Sequence, residues 1–595
     1  MIASAPTRLV RVASLAELRE AGRLVVNVDR HTLCLFADGD EVHAVDNRCP
    51  HMGFPLHRGT VCDGILTCHW HHARFDLATG GTFDQFADEL RRFPVALDGD
   101  AVLVDLSPPH DPMGHQRRRL HDGLERNIPL VLAKATIALL EFDPSGRDVF
   151  RAGLDFGVAR RGGGWFRGLT TLTCFVNLAA RLDSGDRAAA LYHGLADVAS
   201  DSELEPPRFP LEPLPGTPPE VARLATWFRR FVEVRDDEGA ERALVSAVRA
   251  GATPGALADM LFAAATDHRY LDRGHTLDFV NKALEALDVA GWDRAEAVLA
   301  SLPAQLAGAE RMEEANAWRN PVDVVALLER SFDELPTALA AGSGNRGSWR
   351  NRTALVETIL EGEAASIFEA LLDGLRAGAS EAELASAVSL AAATRIARFP
   401  TSNEFGDWDT ALHTFTFANA VEQGLRRSAS SELLRGVFDA AASVHLDRFL
   451  NIPAARIPAG EPDAEPDAFL AELPHVLDHR QQVDETAKLA VSFLEAGGHP
   501  ERLLATLGAA LVREDRNFHT IQCVEAAARQ LEHVETSEAA LPLLAAARYL
   551  AAHSATTRSQ RQTFDIARRL QRGEKLFEDD EPATGRALVG DSHET

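Results

Sequence analysis

The sequence predicts a multidomain protein in which a small all-β domain is followed by a large all-α domain of about four quasi-repeated helical modules. The chain has 595 residues, and a single domain typically has roughly 150. Its first hundred residues contain short segments of β-forming residues separated by Gly and Asp turns. Beyond about Leu120, long segments rich in Ala, Leu, Glu and Arg show apolar residues at helical spacing.

Composition narrows the classes of partner. The chain has 88 acidic against 61 basic residues, a formal net charge of -27, so it should repel phosphate backbones and anionic lipids. We therefore expect no nucleic acid and no membrane among its partners. No apolar run approaches the roughly 18 residues that span a bilayer, and the first residues lack the features of a secretory signal, which favours a cytoplasmic location.

The β domain is predicted to cover residues 1–106. Its candidate strands are Arg23–Val28, Thr32–Phe36, Glu41–Val45, Ile65–Thr67 and Val102–Leu106. A proline-rich stretch and the basic run Arg117–Arg119 follow, which predicts a linker over residues 107–119. The all-α repeat domain should then cover residues 120–571, and the acidic end predicts a disordered tail over residues 572–595.

The helical region contains an internal repeat. Four segments align with one another, namely Thr171–Asn177, His275–Asn281, His413–Asn419 and His519–Glu525. Upstream of each lies a helix end that reads Arg-Ala-Gly or Glu-Ala-Gly, where Gly suits the position just past a helix. The spacing is too long for a solenoid of short repeats, so we expect four modules that either surround a shared centre or stack as a curved array.

Two short motifs in the β domain carry metal-ligand chemistry. Cys49-Pro50-His51 is followed, after sixteen intervening residues, by Cys68-His69-Trp70-His71. Two thiolates and two imidazoles on two loops can bind zinc tetrahedrally, as in many structural sites.

Residues 8–106 resemble the Rieske [2Fe-2S] ferredoxin family. Cys49–Leu56 is similar to the first cluster loop of the family, and Cys68–His71, followed by Phe75-Asp76 and Gly80-Gly81, is similar to the second. The resemblance implies a [2Fe-2S] cluster in which Cys49 and Cys68 bind one iron and His51 and His71 bind the other. Because neutral imidazoles replace two thiolates, such a cluster is easier to reduce than an all-cysteine one.

The chain departs from the family pattern in two places. Cys62 does not adjoin a ligand, so the loop-to-loop disulfide of respiratory Rieske proteins is not expected. His72-Ala73 replaces the glycine that usually follows the second ligand pair, and no Ser or Tyr lies nearby in sequence to donate hydrogen bonds to sulfur. With few such donors, we expect a potential at the lower end of the Rieske range, about -150 mV.

Three of the four aligned segments begin with histidine. These residues are His275, His413 and His519, and Thr171 occupies the position in the first segment. If the modules surround a common centre, three imidazoles can bind an additional non-haem iron and form the catalytic site. The alternative is that each histidine packs at a helix start and bonds a neighbouring carbonyl.

Other histidines are weaker candidates for the helical site. His193 and His268 are secondary candidates. Glu472, His475 and His479 match the ligand spacing of mononuclear-iron oxygenases, but Pro474 interrupts the motif and those oxygenases use a large antiparallel sheet, which favours a chance match.

Leu191–Ala196 and Asn517–Ala527 resemble the helical questin-oxidase-like family, which oxygenates polyketide-type aromatics. The chain has no nucleotide-binding glycine motif, so we expect a separate reductase or ferredoxin as electron donor. One hypothesis is an oxidoreductase, of oxygenase type, that passes single electrons from the cluster to a site in the helical domain and acts on a small organic substrate. The alternative is a non-catalytic electron-transfer or redox-sensing module on an α-helical partner-binding platform.

Overall fold

The computed structural model describes residues 8–107, 111–217, 219–428, 430–533, 538–576 and 586–587. The chain divides into two compact units. The first comprises Met1–Gly146 together with Gln562–Thr595, and the second comprises Arg147–Arg561.

The first unit contains the predicted all-β domain, which is confirmed. Its strands and first helix are β1 (Leu9–Ser14), α1 (Leu15–Ala21), β2 (Arg23–Val28), β3 (His31–Asp38), β4 (Glu41–Asp46), β5 (Thr60–Cys62), β6 (Ile65–Thr67), β7 (Arg74–Asp76), β8 (Arg92–Phe93), β9 (Val95–Asp98), β10 (Ala101–Asp105) and β11 (Arg586–Ala587). They form three sheets, with orders β1-β10-β9, β11-β2-β3-β4-β8 and β5-β6-β7.

All strand pairs are antiparallel except β11 with β2. Strand β3 is central because its residues pair with β2 on one side and β4 on the other. A core of buried side chains that includes Cys34, Leu56, Leu66 and Phe75 lies beneath the two predicted metal-binding loops. Burial of these apolar groups supports the loops from below.

A helix lies where the sequence predicts a linker at residues 107–119. Helices α2 (Pro112–Glu125) and α3 (Pro129–Phe142) follow the sheets. Asp111 caps α2 by accepting a hydrogen bond from the Gly114 N–H, and Pro112 occupies the first turn. An Asp-Pro pair therefore starts a helix here, since proline at that position loses no intrahelical hydrogen bond.

The predicted disordered tail over residues 572–595 falls largely outside the described residues, which here comprise 572–576 and the two residues of β11. The sequence predicts a helical domain over residues 120–571, whereas the compact helical unit is Arg147–Arg561. The helix Ser559–Gln571 crosses the end of that unit.

The second unit is helical, as the sequence predicts. Its helices, of which α25 continues into the first unit, are α4 (Arg147–Arg160), α5 (Arg167–Ala179), α6 (Ser184–Ser202), α7 (Val221–Glu233), α8 (Asp237–Arg249), α9 (Pro254–Ala265), α10 (His275–Ala290), α11 (Ala295–Leu299), α12 (Pro303–Gly308), α13 (Asn316–Arg319), α14 (Val324–Gly342), α15 (Arg352–Glu361), α16 (Ala364–Arg376), α17 (Glu381–Ala397), α18 (Phe405–Arg427), α19 (Leu434–Leu446), α20 (Pro466–Leu477), α21 (Val483–Glu495), α22 (Pro500–Arg513), α23 (Phe518–Leu531), α24 (Ala540–Ala552) and α25 (Ser559–Gln571). Among the described residues, no helix combines the length and hydropathy needed to cross a bilayer.

The four aligned segments lie on α5, α10, α18 and α23. These helices pack in a closed ring, because α5 contacts α10, α10 contacts α18, α18 contacts α23, and α23 contacts α5. Of the two arrangements expected from the sequence, the ring corresponds to modules around a shared centre.

The interior of the ring holds a buried polar network. The Lys282 ammonium donates to Glu285 at 2.9 Å and to Glu525 at 2.7 Å. The Asn177 amide donates to the same two carboxylates, at 2.8 and 2.7 Å. Although burial opposes it, Glu285 and Glu525 raise the pKa of Lys282, so the lysine stays charged. Buried ion pairs of this kind connect helices that are far apart in the sequence.

Candidate metal centres

The first centre lies on two loops of the β domain. Cys49–Leu56 connects β4 to β5, and Cys68–Ala73 connects β6 to β7. The first loop is closed by hydrogen bonds from the Gly53 N–H to the Cys49 carbonyl at 2.7 Å and from the Cys49 N–H to the Phe54 carbonyl at 2.8 Å. In the second loop, the Cys68 N–H donates to the Ala73 carbonyl at 2.8 Å. Local hydrogen bonds therefore fix both loops.

The four predicted ligands meet between these loops. Cys49 and Cys68 are buried free thiols, and the rings of His51 and His71 lie 5.0 Å apart. His51 is half-buried and His71 is exposed. Cys62 is an exposed free thiol, as expected for a chain without the loop-to-loop disulfide.

The protonation states of these groups suit metal binding. The pKa of Cys68 falls to about 6, because its sulfur accepts a hydrogen bond from the Cys49 thiol and further bonds from the backbone N–H groups of Trp70 and His71. Cys49 donates that bond, which together with burial raises its pKa. Burial and the neighbouring His71 and Lys134 lower the pKa of His51 to about 4, so His51 is a neutral imidazole.

These residues fit a [2Fe-2S] cluster. Two buried unpaired thiols, backbone donors directed at both sulfurs, and two adjacent imidazoles supply the donor set that a Rieske cluster requires. Cys49 and Cys68 would hold one iron, and His51 and His71 would hold the other at the more exposed side. Such a cluster supplies reversible one-electron transfer.

Two positions in the loops have left-handed backbone. Gly53 has φ 81°, and a Cβ atom there would lie 2.9 Å from the Leu570 side chain. His72 has φ 61°, in the region that favours glycine. His72 occupies the position where the family usually has glycine, so the departure seen in the sequence coincides with a strained backbone.

Lys134 on α3 contacts the first loop, although no sequence motif points to this residue. Its ammonium donates to the carbonyls of Pro50 and, at 3.1 Å, His51. Asp88 lies 3.3 Å from the same ammonium and also pairs with Arg119 on α2. Helix α3 thus holds the loop through its carbonyl groups, and α2 contributes only through the Arg119–Asp88 pair beside Lys134.

The second centre is in the helical unit, where His275, His413 and His519 lie together. We call these residues the three-histidine cluster. Their ring centroids are 4.5, 4.8 and 5.5 Å apart, and each offers a nitrogen within 4.8 Å of the others. The Nε2 atoms of His413 and His519 are 3.1 Å apart, a hydrogen-bond distance that also allows both nitrogens to bind one metal at about 2.0–2.1 Å.

The helix ring explains this convergence. His275 is the first residue of α10 and His519 the second of α23, whereas His413 lies inside α18. His413 is therefore not a helix-start residue, which disfavours the packing alternative for it. Thr171 is buried on α5 and gives the fourth helix no imidazole.

All three imidazoles are neutral near pH 7. Burial lowers the pKa of His275 to about 4 and that of His413 to about 3, with further lowering by the neighbouring histidines. Burial also lowers the pKa of His519. Neutral imidazoles with free nitrogen lone pairs are the form that binds metals.

Asp409 lies behind His519. Its carboxylate is 3.7 Å from His519 Nδ1 and 3.7 Å from His553 Nε2, and it accepts a hydrogen bond from the Tyr549 hydroxyl. Although burial opposes it, the contacts with His553, Tyr549 and His519 lower the pKa of Asp409. Because Asp409 and His519 lie on different helices, sequence spacing gave no signal for this pair.

The three-histidine cluster borders a cavity of about 900 Å³ in the helical unit. Its other lining residues include Phe166, Arg167, Asp197, Asp201, Asp272, Arg273, Phe279, Glu310, Arg516 and Phe518. Pockets of this size hold small organic molecules. The imidazoles are thus accessible to a ligand as well as to a metal.

The secondary candidates lie elsewhere. His193 is buried against Phe175 and Tyr192, and His268 bonds to Glu233 and Glu313.

The oxygenase-like spacing motif is not assembled into a site. Helix α20 ends at Leu477, so His479 lies beyond the helix that carries Glu472 and His475. All three residues are exposed. The spacing of these residues is thus a chance match.

Comparisons with known proteins address the β domain. A family model described as Rieske [2Fe-2S] domain matches residues 8–94. The ferredoxin component of the p-cumate 2,3-dioxygenase system of Pseudomonas putida is 30% identical over 103 residues, which are 17% of this chain and 87% of the ferredoxin. Human apoptosis-inducing factor 3 is 38% identical over 74 residues, and the match covers 12% of each chain. This chain therefore spans about an eighth of that relative's length.

Among solved structures, the ferredoxin of carbazole 1,9a-dioxygenase from Nocardioides aromaticivorans IC177 is 30% identical, with a TM-score of 0.16. That alignment covers 17% of this chain and 98% of the ferredoxin.

The matched residues include both predicted cluster loops and all four predicted ligands. The N-terminal domain is accordingly an electron-transfer domain whose cofactor is a [2Fe-2S] cluster. Through this domain, the chain belongs to the Rieske [2Fe-2S] family.

Proposed function

We propose that the chain is an oxidoreductase of oxygenase type, in which the three-histidine cluster binds a non-haem iron that receives electrons from the Rieske domain. The observation that carries the proposal is the convergence of His275, His413 and His519 beside a cavity of about 900 Å³. Three neutral imidazoles leave coordination positions for substrate, water or O₂.

The Rieske domain in the same chain favours iron over zinc at the three-histidine cluster. Zinc has no redox chemistry, so a zinc ion would not accept electrons from a one-electron donor. Imidazole ligands suit iron as well as zinc. A Rieske domain in the same chain therefore favours a redox metal at the three-histidine cluster.

The proposed reaction inserts one oxygen atom into a small organic substrate. One O₂, two electrons and two protons convert R–H to R–OH and water: the O–O and C–H bonds break, and a C–O bond forms. The two electrons arrive singly through the Rieske domain from a separate reductase or ferredoxin. The substrate is oxidised by two electrons, and O₂ is reduced by four.

Asp409 serves as a positioning residue in this proposal. Its carboxylate faces His519 Nδ1 at 3.7 Å, so a proton on Nδ1 leaves Nε2 free to face His413 and a metal. A carboxylate behind a metal-bound histidine fixes the ring and increases its basicity. The Tyr549 hydroxyl in turn holds the carboxylate.

Metal analysis of the full-length chain tests the proposal. We expect one iron per chain beyond the two that match acid-labile sulfide. His413→Ala should remove that additional iron and abolish O₂ consumption by the reduced protein, because the metal loses a ligand. Sulfide and the electron paramagnetic resonance signal of the reduced Rieske cluster should not change.

The exposed His475 supplies a matched control. His475→Ala removes an imidazole from the same unit and should retain the additional iron. Zinc at the site, iron equal to sulfide in the unaltered chain, or additional iron that survives His413→Ala would each contradict the proposal.

A further inference from the structure

The cavity beside the three-histidine cluster has an aromatic wall. The ring centroids of Phe166 and Phe279 are 6.3 Å apart, and those of Phe279 and Phe518 are 6.2 Å apart. The same rings continue onto the imidazoles, since Phe279 and Phe518 lie 5.6 and 5.5 Å from His275. Such a wall favours a flat aromatic ligand, whose faces and edges complement those of phenylalanine.

An arginine without a partner also lines this cavity. Arg273 is exposed and makes no ion pair or hydrogen bond with any residue in the described ranges. Arg167 is exposed as well, and lies 3.8 Å from Asp201 and over the ring of Phe166. By contrast, Arg516 is buried and pairs with Glu514 at 2.9 Å. Arg273 is thus a guanidinium available to a ligand.

Most acidic side chains of the cavity accept hydrogen bonds or carry a reduced negative charge. Asp272 accepts hydrogen bonds from the Thr276 hydroxyl and the Glu310 N–H, and Asp201 accepts one from the Gly168 N–H. Burial raises the pKa of Asp197 to about 7, which reduces its negative charge. The carboxylate of Glu310 is exposed.

Cationic side chains of the cavity act on the imidazoles. Arg273 contributes to lowering the pKa of His275 and of His413, and Arg167 does so for His519, in each case after burial. Asp409 opposes them, and it is not among the described residues that line the cavity. Arg167 and Arg273 thus line the same cavity as the three-histidine cluster.

The backbone around Arg273 is held in an uncommon conformation. Tyr270, Asp272 and Arg273 have φ of 49°, 48° and 56°, and Gly274 follows with φ 93°. Hydrogen bonds between Asp272 and Glu310 fix this segment, and Tyr270 packs on Phe417. Runs of left-handed non-glycine residues persist only where the surroundings enforce them, and such residues cluster at ligand sites.

We propose that the cavity binds an aromatic carboxylate, whose ring packs on Phe166, Phe279 and Phe518 and whose carboxylate pairs with Arg273. The planar guanidinium fork matches a carboxylate in two parallel hydrogen bonds. Bound in this way, the ring lies next to the three-histidine cluster. This inference names the substrate class of the proposed oxygenase. Binding of an aromatic carboxylate does not depend on the oxygenase proposal, whereas a role of the bound compound as substrate rests on it.

Calorimetric binding of 2-naphthoate and of its neutral analogue 2-naphthamide tests the inference. We expect the full-length chain to bind the carboxylate at least about tenfold more tightly. Arg273→Gln should weaken naphthoate binding about ten- to hundredfold, as expected for loss of charge-assisted hydrogen bonds, and leave naphthamide binding unchanged. Arg456→Gln, at an exposed arginine that does not line the cavity, should change neither affinity.

Each titration is repeated on the His413→Ala chain with iron and sulfide measured in the same samples. An Arg273-dependent preference for naphthoate in a chain without additional iron supports the inference even if the proposed oxygenase is wrong. Additional iron together with equal affinity for the two probes, or with no measurable naphthoate binding, overturns the inference alone. Equal losses in Arg273→Gln and Arg456→Gln would also overturn it.

Discussion

The predicted Rieske ligands all lie within residues 49–71, whereas the three histidines of the helical unit lie on three helices between residues 275 and 519. Short-range hydrogen bonds within two loops shape the first centre. Packing of α5, α10, α18 and α23 into a ring shapes the second. The first centre should therefore depend on its own loops, and the second on the whole helical core.

The largest expected effect separates the two centres. Cys68→Ser should abolish the [2Fe-2S] cluster, because serine replaces a thiolate ligand that no neighbouring group can supply. Acid-labile sulfide and the Rieske paramagnetic signal should disappear, whereas thermal unfolding of the helices, followed by far-ultraviolet circular dichroism, should not shift. A large shift in helix unfolding would show that the helical core depends on the cluster.

Removal of a charge inside the ring of helices should destabilise the helical unit and leave the cluster intact. Lys282→Met leaves Glu285 and Glu525 buried without their cation, which should lower the unfolding free energy of the helical unit by about 3–5 kcal/mol. Urea unfolding followed by circular dichroism measures the loss, and sulfide content should not change.

The exposed Lys488, which pairs with Glu461, is the matched control for Lys282. Lys488→Met should leave the unfolding midpoint unaltered, since exposed pairs contribute little. Equal midpoints for the two variants would mean that the buried network does not hold the ring together.

Asp409→Asn tests whether metal binding at the second centre depends on a residue that is not itself a proposed ligand. Loss of the carboxylate behind His519 should weaken metal binding about 10- to 100-fold, as expected for a partner of a ligating histidine. Competition with a chelator measures the affinity, and the unfolding midpoint reports any structural loss separately. Asp407→Asn on the same helix is the control, because an amide oxygen still accepts the Glu404 N–H. Unchanged metal affinity in Asp409→Asn would exclude a positioning role.

The smallest expected effect lies in the second cluster loop. His72→Gly should stabilise the β domain by about 0.5–1 kcal/mol, because glycine relieves the left-handed strain at φ 61° at some entropic cost. Neighbouring Ala73 is buried with no such φ, so Ala73→Gly should destabilise instead. Denaturation followed by visible absorbance of the cluster distinguishes the two variants, and the same sign for both would refute the strain argument.

The difference between the centres also explains what could be predicted from the sequence. Cys49, His51, Cys68 and His71 lie in two short motifs close together in the sequence, so chemistry and spacing indicate metal ligands, and the resemblance to the Rieske family implies the cluster. His275, His413 and His519 are separated by variable loops, and only alignment of the internal repeat connected them. Repeat alignment finds equivalent positions on equivalent helices, and the ring brings such positions together.

Residues that act from other elements could not be found in this way. Asp409 approaches His519 from α18, Lys134 approaches the first loop from α3, and Arg273 reaches the cavity through a left-handed turn. None of them belongs to a motif or to the repeat. The start of α2 at Pro112 could not be predicted for a different reason. The same proline that suggests a linker also suits the first turn of a helix.

The side chain of Leu570 approaches Gly53 within the first unit, and this contact has a consequence for biosynthesis. The helical unit is inserted in chain order between the β domain and the segment that begins at Gln562. During translation, the predicted ligands of the first loop leave the ribosome more than five hundred residues before Leu570 does. A nascent chain can therefore expose its cluster loop to iron–sulfur assembly factors throughout synthesis of the helices, until the last helix covers Gly53.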